Sequence, residues 1–403
     1  SSDPFTLCLG AAFGDVDNDF DFDALLLSRS SSPKLFRNER LDGLKPSKES
    51  ALAELPTSAW SVALADVDGD EAIDAAVFSG NAAPVLLLKN HPPGYFRPGF
   101  QKLKASATNG SFFDADNDGD EDLFLVDAIR GKTRSPALFL NDGSGQWTDA
   151  TRDAGLEAFS MTAPRGALYA DFDADGDTDV LIINNGGHAI YLRNDTPPKN
   201  HFIRLNLIGT RETGKTRSAT FPIGTKVFAQ AGPHHQKKEF VPATGFLSQN
   251  SPQLTFGLGP RTKLDYLRLI WPDGVLQSEM EIAAGQTFPV KETSRKASSC
   301  PVLFAWDGTR FEFVTDMLGG GGLGFFLAQG TYARPQPVER IRLEAKQLQP
   351  MNGRYELRII EPLEEAVYLD LLRLEVIDHP ADCSIYPDER LETGHPSRTD
   401  RIY

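Results

Sequence analysis

Carboxylates recur in this chain at a spacing suited to metal chemistry. Four segments read Asp15-Val-Asp17-Asn-Asp19-Phe-Asp21-Phe-Asp23, Asp66-Val-Asp68-Gly-Asp70-Glu-Ala72-Ile-Asp74, Asp114-Ala-Asp116-Asn-Asp118-Gly-Asp120-Glu-Asp122 and Asp171-Phe-Asp173-Ala-Asp175-Gly-Asp177-Thr-Asp179. Aspartate fills positions 1, 3, 5 and 9 of every copy. Two carboxylates about 4 Å apart repel by about 4 kcal/mol at an effective dielectric near 20, so converging groups of this kind call for a cation. Calcium takes six to eight oxygen ligands in flexible geometry, whereas magnesium demands a small octahedron and keeps its waters. One calcium ion per loop is therefore expected, about four in all. Side chains at positions 1, 3, 5 and 9 would ligate it, with the backbone carbonyl of Asp21, Ala72, Asp120 or Asp177 at position 7. Ala72 shows that position 7 needs no carboxylate.

The loops begin like an EF-hand, but the bidentate Glu required at position 12 is replaced by Leu26, Val77, Leu125 and Ile182. Short apolar runs leave each loop: Ala24-Leu-Leu-Leu, Ala75-Ala-Val-Phe, Leu123-Phe-Leu-Val and Val180-Leu-Ile-Ile. Their length and β-branching predict strands rather than helices. A second landmark ending in Asn38, Asn90, Asn141 and Asn194 follows each loop in register. Two landmarks repeating about every 50 residues, with several strands per unit, point to propeller blades.

At these residues the chain resembles the FG-GAP and VCBS repeat family, the calcium-binding blades of integrin-like β-propellers. The resemblance covers residues 1–197 and implies that calcium holds each blade rigid. Phe20 departs from the small residue usual at its position. The family closes seven blades and this sequence supplies motifs for four; with Ser1 in place of Met, a processed chain or a fragment is expected.

After the linker Asp195-Thr-Pro-Pro-Lys-Asn200, alternating segments at His201–Leu207, Thr225–Gln230, Lys238–Val241 and Leu264–Trp271 predict an antiparallel sandwich. Ile223-Gly224, Gly245-Phe-Leu-Ser248-Gln249, Phe256-Gly-Leu-Gly259 and Trp271-Pro-Asp-Gly274 resemble the ASPIC/UnbV domain, placed here at 198–292. That resemblance implies an extracellular setting and supplies no catalytic residue. The polar insertion Gly209–Ala219 departs from its pattern.

A third, β-rich domain of unknown role is expected over 300–403, from a hairpin turning at Asp307-Gly308 and strands at Tyr355–Ile360 and Tyr368–Ile377. Its run Leu318-Gly-Gly-Gly-Gly-Leu-Gly324 lacks the Lys-Ser/Thr of a phosphate loop and reads as close backbone packing. Cys300 and Cys383 flank this domain's strands and are expected to pair, leaving Cys8 free or paired beyond this segment. His234 and His235 are expected in a solvated loop, and Trp147 against a hairpin face. No HExxH, GxSxG or CxxCH motif occurs.

The fold class is thus all-β, calcium-binding propeller blades followed by sandwich-like C-terminal domains. The net charge of -15 disfavours nucleic acid and anionic membranes. No apolar run reaches the eighteen or so residues needed to span a bilayer. The reading that follows is a secreted or cell-surface interaction and adhesion protein, with the periplasm as an alternative location, taking a protein or glycan ligand on propeller loops. The alternatives are a self-assembling structural subunit and a polysaccharide lyase or hydrolase on a propeller scaffold. With no catalytic signature, no enzyme activity is expected.

Overall fold

Every aspartate loop is the connection of a β-hairpin, and the hairpin register is the same four times. The residue before position 1 pairs with the aspartate at position 9: Gly14 with Asp23, Ala65 with Asp74, Phe113 with Asp122 and Ala170 with Asp179. The computed structural model describes residues 8–28, 31–39, 43–47, 52, 55, 59–80, 83–97, 101–130, 133–196, 199–212, 215–216, 218–241, 243, 248–293, 301–317, 326–332, 340–360, 369 and 371–380.

Blade 1 contains β1 (Cys8–Gly14), β2 (Asp23–Ser28), β3 (Lys34–Asn38) and β4 (Leu44–Pro46). Blade 2 contains β5 (Ser61–Ala65), β6 (Asp74–Phe78), β7 (Leu86–Leu88) and β8 (Gln101–Lys102). Blade 3 follows with β9 (Gly110–Phe113), β10 (Asp122–Arg130), β11 (Thr133–Asn141) and β12 (Trp147–Asp149), and blade 4 with β13 (Pro164–Ala170), β14 (Asp179–Asn184) and β15 (Ile190–Leu192). Each blade is an antiparallel meander in chain order.

Side chains alternate across a strand, so a strand sandwiched between two blades must be apolar on both faces. In β6, Ala75 and Val77 join the core shared with blade 1, while Ala76 and Phe78 join the core shared with blade 3. In β10, Leu123 and Leu125 face blade 2, and Phe124 and Val126 face blade 4. Trp147 packs against this second core, its ring 6.2 Å from that of Phe112. On β14 only Val180 and Ile182 enter a shared core, and Ile183 is 45% exposed.

The next region is a sandwich, with one departure from the antiparallel expectation. Its strands are β16 (His201–Ile208), the short hairpin β17 (Arg211–Glu212) and β18 (Lys215–Thr216), then β19 (Lys226–Ala231), β20 (His234–Glu239), β21 (Leu254–Gly259), β22 (Lys263–Ile270), β23 (Leu276–Ala283) and β24 (Gln286–Lys291). One sheet has the order β21-β16-β24 and the other β20-β19-β22-β23. The β16–β24 pair is parallel, because the chain crosses the second sheet before returning beside β16. Ile203, Leu205 and Leu207 meet Val227, Ala229, Leu267 and Leu269 in the core between the sheets. The inserted segment is anchored where Glu292 accepts hydrogen bonds from the Thr210 amide (2.7 Å) and the Ser218 hydroxyl (3.0 Å). His234 and His235 open strand β20 rather than a loop, and both are exposed.

The chain forms two compact units, Ser1–Gln277 with Ile282–Ser294, and Ser278–Glu281 with Arg295–Tyr403. Blades and sandwich thus share a unit. In the other, β25 (Val302–Trp306) lies between β26 (Phe311–Asp316) and the strand Leu357–Ile360. The hairpin turn is longer than Asp307-Gly308 alone: Asp307 Oδ1 accepts the amides of Thr309 and Arg310, closing a four-residue turn. The strand expected over Tyr368–Ile377 does not form over 371–377, which pairs with nothing in the described sheets and leaves Leu371 69% and Val376 82% exposed. Apolar alternation makes a strand only where a sheet edge is in reach to satisfy its backbone. Cys300, Cys383 and the Leu318–Gly324 run lie outside the described residues; Cys8 is a free, exposed thiol.

Candidate metal centres

The loop conformation follows from two left-handed residues. Positions 4 and 6 have positive φ in every copy: Asn18 and Phe20, Gly69 and Glu71, Asn117 and Gly119, Ala174 and Gly176. Asn and Gly are the residues that adopt this region most readily, which explains their recurrence. Phe20, at φ 76°, occupies it at a steric cost of about 1–2 kcal/mol. These turns fold the backbone inward so that its amides meet the carboxylates. Position 1 accepts from position 6, as in Phe20 N to Asp15 Oδ2 (3.1 Å), Glu71 N to Asp66 Oδ2 (3.0 Å), Gly119 N to Asp114 Oδ2 (2.9 Å) and Gly176 N to Asp171 Oδ2 (2.9 Å). Position 5 accepts the position 7 amide in all four loops, at 3.2, 3.0, 2.9 and 3.0 Å. That bond turns position 7 back over its own loop.

Position 9 has a second task. Asp23, Asp74, Asp122 and Asp179 each accept the backbone amide of the blade's landmark asparagine, Asn38, Asn90, Asn141 or Asn194, at 2.7–2.9 Å. The asparagine side chains then reach the preceding blade. Asn90 Nδ2 donates to the Val16 carbonyl, Asn141 to Val67 and Asn194 to Ala115, each at 2.7 Å and each at position 2 of the previous loop. The same side chains also bond the position 8 carbonyl of their own loop. Spacing revealed these asparagines as a landmark; their role as inter-blade staples needed the third dimension.

Three carboxylates in each loop bring ligand atoms within 4.8 Å of one another: Asp15, Asp17 and Asp19; Asp66, Asp68 and Asp70; Asp114, Asp116 and Asp122; Asp171, Asp173 and Asp179. Positions 1 and 3 therefore converge in every copy, joined by position 5 in the first two and position 9 in the last two. Asp23, Asp74, Asp118 and Asp175 stand outside these triads. At position 7 of loop 4, Asp177 Oδ1 accepts from Asn117 Nδ2 of loop 3 at 2.7 Å.

Burial is the main force on the carboxyls of Asp66, Asp114 and Asp122, and neighbouring aspartates raise them further. It pushes Asp66 up to about 7 and Asp122 up to about 9, and holds Asp114 well above the usual carboxylate range. Asp68 Oδ1 and Asp114 Oδ1 are buried and receive no hydrogen bond. Acceptor oxygens without donors, held together against their repulsion, suit a hard divalent cation. The donor set is all oxygen, as calcium requires.

The sandwich turns its basic side chains onto the loops. Lys226 Nζ lies 2.6 Å from Asp15 Oδ2, and Arg204 Nη2 lies 2.6 Å from Asp171 Oδ2. Lys238 pairs with Glu121 at 2.5 Å, and Lys237 donates to the Glu71 carbonyl at 3.1 Å. Gly176 has no room for a side chain, since a Cβ there would meet the Phe202 ring at 2.0 Å. Sequence reasoning missed these partners because β16, β19 and β20 look like ordinary amphipathic strands. The one clue was a charged residue at inward positions, notably Lys226, which is 2% exposed.

Hairpin sheets stacked through shared cores and closed by aspartate loops define an all-β protein with propeller-type blades. Family models agree: the FG-GAP-like repeat matches residues 6–77 and 114–182, and ASPIC and UnbV matches 214–297. The chain is a protein of FG-GAP-like repeats followed by an ASPIC and UnbV domain. No curated protein matches it. Among solved structures it is similar to an Agrocybe aegerita lectin described as recognising non-reducing terminal N-acetylglucosamine, at 18% identity and TM-score 0.32 over 48% of this chain and 56% of that one. It is also similar to a Photorhabdus luminescens Tc holotoxin pore, at 21% identity and TM-score 0.31 over 46% of this chain and 9% of that one. The chain thus spans about half of the lectin and under a tenth of the toxin chain.

Proposed function

We propose that this protein is a calcium-stabilised interaction module that acts outside the cell or at its surface and takes a protein or glycan ligand on its blades. The observation that carries the calcium reading is the set of converging loop carboxylates with buried, donor-free oxygens at Asp68 and Asp114. Ligand-binding surface has to come from elsewhere, because the sandwich covers the inner side of the loops through Lys226, Arg204 and Gly257. Among the described residues no helix is long and apolar enough to cross a membrane. The residues that would hold calcium do structural work: they fix the β-hairpin and present the asparagine staple to the neighbouring blade.

Equilibrium dialysis with calcium followed by a glycan array, each with and without chelator, tests the proposal. Uptake of several ions at millimolar calcium, with array binding that chelator abolishes, supports it. Absence of uptake at millimolar calcium sinks the calcium reading; uptake without glycan or protein binding leaves only scaffold. A second reading, a self-assembling structural subunit, is favoured by the uncovered apolar side chains Ile183, Phe172 and Tyr191 on blade 4. Sedimentation showing concentration-dependent association that Ile183→Ser abolishes would support it. Enzymatic turnover is not part of either reading, and turnover of an acidic polysaccharide lost on a single point mutation would replace both.

A further inference from the structure

The four aspartate loops share a backbone but not a charge environment. In loop 1 the ligand carboxylate of Asp15 already pairs with Lys226, and Arg37 lies 3.9 Å from Asp17. In loop 2, Lys89 sits on Asp68 and lies 3.5 Å from Asp70, whose Oδ2 also meets His91 Nδ1 at 3.0 Å. In loop 4, Arg204 pairs with Asp171, and Arg193 lies 3.9 Å from Asp173.

Loop 3 differs at its converging carboxylates, although the charges of His234 and Lys238 act on Asp120 and Asp114 through space. The residue before the landmark asparagine, basic in the other blades as Arg37, Lys89 and Arg193, is Leu140. Among the described residues no basic side chain is paired with Asp114, Asp116 or Asp122. Lys238 of the sandwich is engaged by Glu121 at position 8, and its charge acts on Asp114 through space. Over Asp114 the sandwich presents Gly257, where a Cβ would stand 2.0 Å from Oδ2, so backbone replaces a side chain. Asp114 is 5% exposed, its Oδ1 is buried without a donor, and it offers one of the three converging oxygens of the triad.

We propose that loop 3 is the high-affinity divalent-cation site of this protein, and that loops 1, 2 and 4 are weaker because built-in ammonium and guanidinium groups already neutralise their ligands. This rests on the calcium reading above. The physical reason is Coulomb repulsion between the incoming ion and a resident cation on the same carboxylate, which is strong where water is excluded. The resident cation also occupies one of the two oxygens that a ligating carboxylate offers. Lys89 is the instructive case, since its side chain is half-exposed and its removal disturbs no core.

Calorimetric titration of the full chain with calcium tests the ranking. The expected isotherm has one tight site and three that are at least tenfold weaker. Asp116→Asn should delete the tight phase, Asp68→Asn should delete one weak site, and Lys89→Met should convert loop 2 to a second tight site. Lys89→Arg retains the charge and should keep the original one-to-three pattern, which separates charge from packing. Four sites of equal affinity, loss of a weak site in Asp116→Asn, or an unchanged pattern in Lys89→Met would each overturn the proposal while leaving the calcium reading intact. No uptake by the wild-type chain would remove both.

Discussion

The blades and the sandwich beside them are held together by different physics. Between the two sheets of the sandwich lies a continuous apolar core, with Leu205, Val227, Phe256, Leu267 and Leu269 fully buried. The blades also share apolar cores, but each hairpin ends in a loop that concentrates like charges in a partly dry setting. One region carries its stabilising terms in apolar packing, while the other adds like charges that call for counter-charge. Part of that counter-charge comes from the sandwich itself, through Lys226 and Arg204.

Removing calcium should separate the two regions most widely. At millimolar calcium and dissociation constants of about 10⁻⁴ to 10⁻³ M, each independent site contributes about 0.4–1.4 kcal/mol, or about 2–6 kcal/mol for four. Differential scanning calorimetry with chelator should therefore show a lower melting temperature and faster proteolysis of the blades. An unchanged melt would show that the resident basic groups suffice as counter-ions.

Leu267→Ala probes the other side of the comparison. It empties a fully buried position in the sandwich and should cost about 2–5 kcal/mol, by the same amount with or without calcium. Urea melts in both conditions measure this, and a calcium-dependent cost would mean that the two regions are energetically fused.

Asn141→Ala removes a staple and leaves the Val67 and Glu121 carbonyls without that donor. The expected cost is about 2–3 kcal/mol, with hydrogen exchange rising at the junction of blades 2 and 3. A variant as stable as the parent would show that the shared cores alone set blade spacing. The smallest effect is expected from Phe20→Gly, which relieves a left-handed phenylalanine that is 55% exposed. A gain of up to about 1 kcal/mol is expected. A loss would assign more weight to the Lys226 ammonium, which lies 5.2 Å from the Phe20 ring.

Much of the site was legible in the sequence because its determinants are local. A nine-residue loop fixes its own turns through Asn and Gly at positions 4 and 6, and the repeat period identified the blades. The apolar runs of blades 2 and 3 also announced strands, while their burial on both faces, which explains why Ala75–Phe78 and Leu123–Val126 are apolar at every position, came from the stacking of blades. The parallel β16–β24 pair was not legible, because partners as far apart in sequence as Ile203 and Gln286 carry no local mark of strand direction. Nor was the failure of 371–377 to join a sheet, since alternation describes a side-chain pattern and not the presence of a partner edge.

By itself, then, the sequence determined where carboxylates converge and that strands flank them, because hairpin register and turn geometry act over a few residues. Only the tertiary structure decided what each loop meets. Lys226 and Arg204 lie hundreds and tens of residues from the aspartates they pair with, and Gly257 faces Asp114 across the same interface. Four loops alike in their aspartates thereby meet different charged neighbours, since electrostatic energy depends on distance in space and on the exclusion of water, neither of which the order of residues records.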